Sequence, residues 1–223
     1  MPRICVFDVN ETLLDLRALD PHFARVFGDA GARQQWFAQF IHNAFVAAIT
    51  GRYQPFGAIG AGALDMIAAR RGVALAAEDR AAILGGIKTL PPHPEAREAL
   101  ERLQSAGVRL ASLTNSTAEV AVAQLTHAGL ADLFEKILSA DAVRRLKPAP
   151  EPYRYAAKEM GVEVEQIRLI AAHAWDIAGA ISAGCAAAFV ARPGMVLDPL
   201  APRPDIVGAD LREIADQILA IER

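Results

Sequence analysis

Four short polar clusters hold the side chains of this chain that can do chemistry. The first is Asp8, Asn10 and Thr12, in "FDVNETLLDL", directly after the apolar run Ile4-Cys5-Val6-Phe7. The second is Thr114, Asn115, Ser116 and Thr117, and the third is Lys147, in "RRLKPAPEPY". The fourth is His173 and Asp176, in "AAHAWD". A carboxylate, a lysine, a second carboxylate and several amides or hydroxyls in one pocket suit a definite chemistry. It needs a carboxylate nucleophile, a cation that keeps it ionised and a group that positions water.

Each member has a plainer alternative. A strand-end Asp followed by Asn is also a turn former. Thr117 before a helix reads as an N-cap, and Thr114 or Ser116 as turn hydroxyls bonded to backbone. Lys147 before Pro148 reads as a solvated loop lysine, and Asp176 as a carboxylate complementing a helix N-terminus. The functional reading gains its weight from the order of the clusters, each at the end of a successive strand.

Those strands are read from short apolar runs at Arg3–Phe7, Arg109–Leu113, Lys136–Ser139, Arg168–Ala172 and Ala187–Val190. Helix-like stretches alternate with them near Glu95–Ala106, Thr117–Ala128, Pro152–Met160 and Asp176–Ala183, and Asp210–Ile221 closes the chain. Such alternation is the pattern of an α/β fold, a doubly wound, Rossmann-like parallel sheet. In it the strand ends converge on one edge, where open α/β sheets bind ligands.

From about Leu16 to Pro92 no convincing strand is found. Trp36, Phe37, Phe40, Ile41, Ala44, Phe45, Ala48 and Ile49 recur at helical spacing and predict one apolar helix face. A helical cap is therefore expected over residues 16–92, inserted after the first strand, with residues 1–15 and 93–223 forming the core. Placed over the strand ends, it would act as a lid that excludes water.

The bulk composition narrows the function class. With 223 residues, 53% hydrophobic and 22% charged, the chain suits a soluble globular protein. A net charge of −3 and no long Lys or Arg run imply no nucleic acid partner. No apolar stretch reaches membrane-spanning length, so no membrane partner is expected. No signal-peptide pattern opens the chain. Cys5 and Cys185 lie in apolar stretches and read as buried inert thiols, which fits a reducing cytoplasm. The histidines His22, His42, His93 and His127 show no metal-ligand spacing.

The four loops, "FDVNETLLDL", "LASLTNST", "LKPAPEPY" and "LIAAHAWDIAGAISAG", together resemble those of the haloacid dehalogenase superfamily. The branch they resemble most is the type II L-2-haloacid dehalogenases, and the likeness spans essentially the whole chain. The resemblance implies that Asp8 is the nucleophile. It would displace halide from carbon to form an ester, which water then hydrolyses. Thr12 matches the hydroxyl that holds the nucleophile. Thr114 and Asn115 match a Ser-Asn pair that binds the substrate carboxylate and helps hold the halide. Lys147 matches the lysine that keeps the nucleophile ionised, and Tyr153 a tyrosine near it. Asp176 matches the acid that positions or activates the hydrolytic water. A homodimer is implied by the family; the sequence itself leaves this open.

The departures define the reaction class. Phosphatases of the superfamily carry a second Asp two residues after the nucleophile, where this chain has Asn10. They also place an acidic Mg²⁺ ligand where this chain has Ala172. Asn10 transfers no proton at ordinary pH, and Ala172 gives a hard cation no oxygen. Displacing halide from carbon needs neither, so no cofactor and no metal are expected. Three further departures concern the dehalogenases. Phe37 occupies the place of a cap arginine that contacts substrate and halide, with Arg33 one turn earlier as a candidate substitute. His173 replaces an Asn, and Ala171 a Ser. His173 reads as a neutral donor, as a partial replacement for the arginine charge if protonated, or as a satisfied structural histidine. Losing the arginine without compensation removes a charged hydrogen bond of roughly 1.5–3 kcal/mol, about a hundredfold in rate.

The leading expectation is a hydrolase of short 2-haloalkanoic acids, with a haloacid as its small-molecule partner. The alternatives are an atypical phosphatase-like hydrolase of the same superfamily and a catalytically idle ligand-binding member.

Overall fold

The computed structural model describes residues 4–221. Its strands are β1 (Ile4–Phe7), β2 (Leu110–Thr114), β3 (Lys136–Ser139), β4 (Ile167–Ala171), β5 (Ala186–Val190) and β6 (Ile206–Gly208). They form one sheet in the order β3-β2-β1-β4-β5-β6. Every pairing is parallel. The helices are α1 (Asp20–Phe27), α2 (Ala32–Ile49), α3 (Phe56–Arg71), α4 (Ala77–Gly86), α5 (Ala96–Ser105), α6 (Ala118–His127), α7 (Pro150–Met160), α8 (Ala174–Ala183) and α9 (Leu211–Ile221). The doubly wound reading holds, with α1 to α4 following β1 in the chain.

Parallel strands covered on both faces need apolar side chains on both. The central strand meets this by simple alternation. Cys5 and Phe7 enter the core on one face, which continues into α1 to α5, while Ile4 and Val6 enter the core beneath α7 and α8. Both cysteines are buried.

Strand order reverses at β1, which lies between β2 and β4, so the crevice that binds ligands in such sheets opens at their carboxyl ends. Phe7 is level with Ser112 and Ile170, and the Asp8 amide donates to the Ile170 carbonyl at 3.0 Å. Asp8 therefore emerges from the sheet between β2 and β4, which run on to Thr114 and Ala171.

The predicted strands recur with ends moved by a residue or so, within the fraying common to such boundaries. Arg3 lies outside the described residues. The strand not foreseen is β6. It is three residues long, alternates buried, exposed, buried, and pairs only with β5 at the sheet edge. It is tied down from the core by Arg168, whose guanidinium meets Asp205 at 2.7 Å. The predicted apolar face of α2 holds for Trp36, Phe40, Ile41 and Ala44, which are buried, but it ends before Ile49, which is 85% exposed at the helix terminus.

Candidate active site

The centre of the site is an ion cluster. Asp8 follows β1, Lys147 precedes α7, and Asp176 stands in the first turn of α8. Lys147 Nζ lies 2.9 Å from Asp8 Oδ1, 2.6 Å from Asp176 Oδ2 and 2.9 Å from the Leu113 carbonyl. The three donors of an ammonium are thus matched by three acceptors. All three charged side chains are buried. The solvated-loop reading of Lys147 is thereby excluded.

The electrostatics follow from this geometry. Burial opposes charge on Asp8, but Lys147 and His173 outweigh it and hold the carboxyl below the usual carboxylate range. Burial likewise opposes charge on Lys147, and the two carboxylates more than restore it, so its pKa is raised. Asp176 is raised: burial and the Asp8 charge outweigh the pull of Lys147 and Tyr153. Of the two carboxyls, Asp8 is the one held more strongly in its ionised form.

Thr12 has a double role. Its hydroxyl donates to Asp8 Oδ2 at 2.8 Å and accepts from the Ala172 amide at 2.9 Å. The first loop is thereby locked to the end of β4. Asn115 ties the lysine in place, accepting from the Lys147 amide at 2.8 Å and donating to its carbonyl at 3.2 Å. Thr114 accepts from the Ser116 amide at 3.2 Å, as a turn hydroxyl does. Thr117 sits at the N-cap of α6 but its side chain makes no capping bond. Tyr153, on α7, donates its hydroxyl to Asp176 Oδ1 at 2.6 Å.

A small chamber of about 10 Å³ lies above Asp8. Asn10, Thr114, Asn115 and Lys147 form its polar side. Phe37, Ile41, Phe56, His173 and Trp175 close it. Thr12, Tyr153 and Asp176 stand behind this wall and act through Asp8 and Lys147. The chamber has space for about one water molecule. Beside it lies an apolar cavity of about 200 Å³, sharing Asn10, Phe37 and Phe56 with it. Asn10 Oδ1 accepts from Gln124 Nε2 at 2.9 Å, which turns its amide carbonyl away from proton chemistry.

His173 is charged by its surroundings. Its Nε2 lies 2.9 Å from Glu11 Oε2, and its Nδ1 faces Asp8 Oδ2 at 3.4 Å. Burial pushes its pKa down, but Asp8 and Glu11 outweigh that and lift it to about 9. The ring stacks on Trp175 with centroids 5.2 Å apart and leans on Phe37 at 5.8 Å. So an imidazolium stands beside the position left apolar by Phe37.

Arg33 does not reach the chamber. It is buried, pairs with Asp20, and approaches Glu11 at 3.6 Å. Its cation reaches Asp8 only through Glu11 and His173. Glu11 itself was not foreseen from the sequence. It adopts a left-handed φ of 62°, uncommon for a side-chain-bearing residue, and this turn directs it at His173 rather than at solvent. Arg192 was also unforeseen. It donates to the Thr12 carbonyl at 2.9 Å and pairs with Glu95, bracing the first loop.

The donor set does not suit Mg²⁺. An ammonium already fills the space between Asp8 and Asp176, and Ala172 and Asn10 add no acidic oxygen.

Residues 2–184 match the family model of the haloacid dehalogenase-like hydrolases. The chain is 28% identical over 211 residues to (S)-2-haloacid dehalogenase 2 of Pseudomonas sp. (strain CBS-3), covering 94% of this chain and 92% of that one. It is 30% identical over 186 residues to (S)-2-haloacid dehalogenase 4A of Burkholderia cepacia, covering 80% and 78%. The fold matches that of the L-2-haloacid dehalogenase of Xanthobacter autotrophicus, solved with chloropropionic acid covalently bound, at a TM-score of 0.92 and 24% identity over 99% of this chain and 100% of that chain. Match, fold and ion cluster agree, and the chain belongs to the haloacid dehalogenase-like hydrolases.

Proposed function

We propose that the protein hydrolyses short 2-haloalkanoic acids, with Asp8 as the nucleophile. The observation that carries this reading is the state of Asp8. It is buried, kept ionised by Lys147, and oriented by Thr12, while the positions that would serve phosphoryl transfer hold Asn10 and Ala172. A phosphate facing Asp8 would lack the divalent charge that such transfers use. A carbon–halogen bond needs only a nucleophile in line and a place for the departing anion.

In the first step an Asp8 oxygen attacks the carbon bearing the halogen. The C–O bond forms as the C–halogen bond breaks, and the halide leaves with the bonding pair. Attack from behind inverts the centre. Water then adds to Asp8 Cγ, the ester C–O bond breaks on the protein side, and a 2-hydroxy acid leaves. Lys147 serves the first step by keeping Asp8 anionic. Thr114 and Asn115 at the chamber wall are the groups for the substrate carboxylate, and the His173 imidazolium supplies the positive charge that Phe37 does not.

The helices α1 to α4 serve as a cap. Phe37, Ile41 and Phe56 lie over Asp8, so a haloacid enters when they move apart, and the neighbouring apolar cavity receives the substrate's alkyl group. Closure then excludes bulk water, which strengthens the ion pairs.

The test is halide release from S-2-chloropropionate and bromoacetate. The wild-type protein releases halide from them and Asp8→Asn does not. Release by Asp8→Asn at the wild-type rate would remove Asp8 as nucleophile. Absence of release from any haloacid tried with the wild-type protein would remove the reaction.

A further inference from the structure

Asn10 and Gln124 are two buried amides in contact, and together they aim a donor at the chamber above Asp8. Gln124, on α6, is fully buried. Its Nε2 donates to Asn10 Oδ1 at 2.9 Å and to the Ile87 carbonyl, just after α4, at 2.8 Å. Its Oε1 is buried and has no hydrogen-bond partner. All the bonding of this side chain is therefore at its N–H end.

The orientation of both amides follows from one atom. A backbone carbonyl only accepts, so the Gln124 atom that meets Ile87 is the nitrogen. That same nitrogen meets Asn10, which must then present its oxygen. Asn10 Nδ2 is left facing away from Gln124, and among the described residues it has no hydrogen-bond partner. Asn10 is itself buried and stands in the walls of both the chamber and the neighbouring apolar cavity.

The other polar groups of the chamber are already engaged. Lys147 directs its ammonium at Asp8, Asp176 and the Leu113 carbonyl. Asn115 accepts from the Lys147 amide and donates to the Lys147 carbonyl. Thr114 accepts from the Ser116 amide, which leaves its hydroxyl proton to donate. Asn10 is the amide of this wall with both N–H bonds free.

A haloacid brings two anionic groups here, its carboxylate and the departing halide. In-line attack puts the halogen on the face of the carbon away from Asp8, toward the wall that Phe37, Ile41 and Phe56 close. Asn10 belongs to the same loop as Asp8, and Thr114 ends β2 beside it, so their donors lie on the core side.

We propose that Asn10 is a substrate-binding residue that selects for the carboxylate of the haloacid, donating to it from Nδ2 beside the Thr114 hydroxyl, with Gln124 as its positioning residue. This rests on the dehalogenase reading. With the carboxylate held where chamber and cavity meet, the substituent on the reacting carbon has the apolar cavity beside it. A neutral amide in place of the carboxylate gains less from the same donors, because bonds to an ionised acceptor are roughly twice as strong. The carboxylate keeps its charge while halide is displaced, so this bond holds bound substrate and transition state alike. Its loss should raise KM and spare kcat.

Steady-state halide release from S-2-chloropropionate, with propionate and propionamide as unreactive competitors, tests this. Asn10→Ala should raise KM about 10–100-fold, the loss of one bond to a charged group. Its kcat should stay within about threefold of wild type. Inhibition by propionate should weaken by the same factor as KM, and inhibition by propionamide by less than about threefold. Gln124→Glu removes the N–H that holds Asn10. Asn10 then turns its own N–H to the new carboxylate and its carbonyl to the chamber, and KM should rise at least as far. A buried carboxylate can prevent folding, so Gln124→Met is the second variant, expected to raise KM about three- to tenfold through an Asn10 amide free to rotate. In either Gln124 variant the preference for propionate over propionamide should fall, which a merely structural role would not cause. KM within about twofold of wild type in Asn10→Ala, or equal weakening of the two competitors, would overturn the assignment and leave the dehalogenase reading intact. Absence of halide from the wild-type enzyme with any haloacid would overturn the dehalogenase reading and this one with it.

Discussion

Lys147 and Asp8 meet at 2.9 Å between side chains that are 1% and 7% exposed, from positions far apart in the chain. A pair so buried is held by its partners, because each ion left alone would face the full cost of desolvation. Lys147 must satisfy Asp176 at the same time. Replacing it strands two carboxylates.

Lys147→Met should therefore lose stability and activity together. Removing one partner of a buried pair costs about 3–5 kcal/mol. Halide release should fall at least about 100-fold, since each 1.4 kcal/mol is tenfold and Asp8 would take up a proton. Denaturant midpoints and halide assays on the same preparation check both. Unchanged stability would contradict the cluster as described.

Tyr153→Phe should separate support from chemistry. The hydroxyl bonds to Asp176 and does not border the chamber. Its loss should cost about 1.5–3 kcal/mol, the range for a bond to a charged group. The halide burst should stay within about tenfold of wild type. A burst lost entirely, in a folded protein, would mean that Tyr153 touches substrate.

Gly179→Ala tests the packing behind the lysine. A Cβ there would lie 2.5 Å from Pro148 Cβ and 2.7 Å from the Tyr153 hydroxyl. Pro148, whose backbone carbonyl would also lie at 2.8 Å, cannot yield without moving the loop that carries Lys147. Overpacking of this kind costs about 1–3 kcal/mol, and halide release should fall although Gly179 is outside the chamber. Normal activity and stability would show that the loop has slack.

Protonated His173 should leave a mark on stability as pH changes. Its folded pKa of about 9 lies above the ordinary 6.5, so the folded state binds the proton more tightly than the unfolded chain. The stabilisation is complete below about pH 6.5 and is lost as pH rises through about 9. Wild-type protein should weaken across that window relative to His173→Gln. Parallel pH dependence in the two would place the histidine outside the ion cluster.

Much of the core was legible in the sequence because strand ends in a parallel sheet converge. Asp8, Lys147 and Asp176 could be brought together from order alone. Glu11 could not, since a glutamate in a polar loop looks solvated until the left-handed turn at its own φ is known. Arg33 lies on the predicted helix, but only the pairing with Asp20 and Glu11 shows that its charge stops short of the chamber. Asn115 matches a substrate-binding residue in pattern, yet its side chain holds the Lys147 backbone at both ends. Side-chain hydrogen bonding of this kind has no sequence period to reveal it. The edge strand β6 was missed for a related reason, since three residues are too few to show alternation.

A covalent ester at Asp8 is the central step of the proposed reaction, and oxygen labelling tests it directly. One turnover of S-2-chloropropionate with enzyme in excess, in ¹⁸O water, should place ¹⁸O in the carboxylate of the peptide containing Asp8 and leave the first 2-hydroxy acid unlabelled. Label in the hydroxy acid with none in that peptide would mean that water displaces the halide itself, and Asp8 would not be the nucleophile.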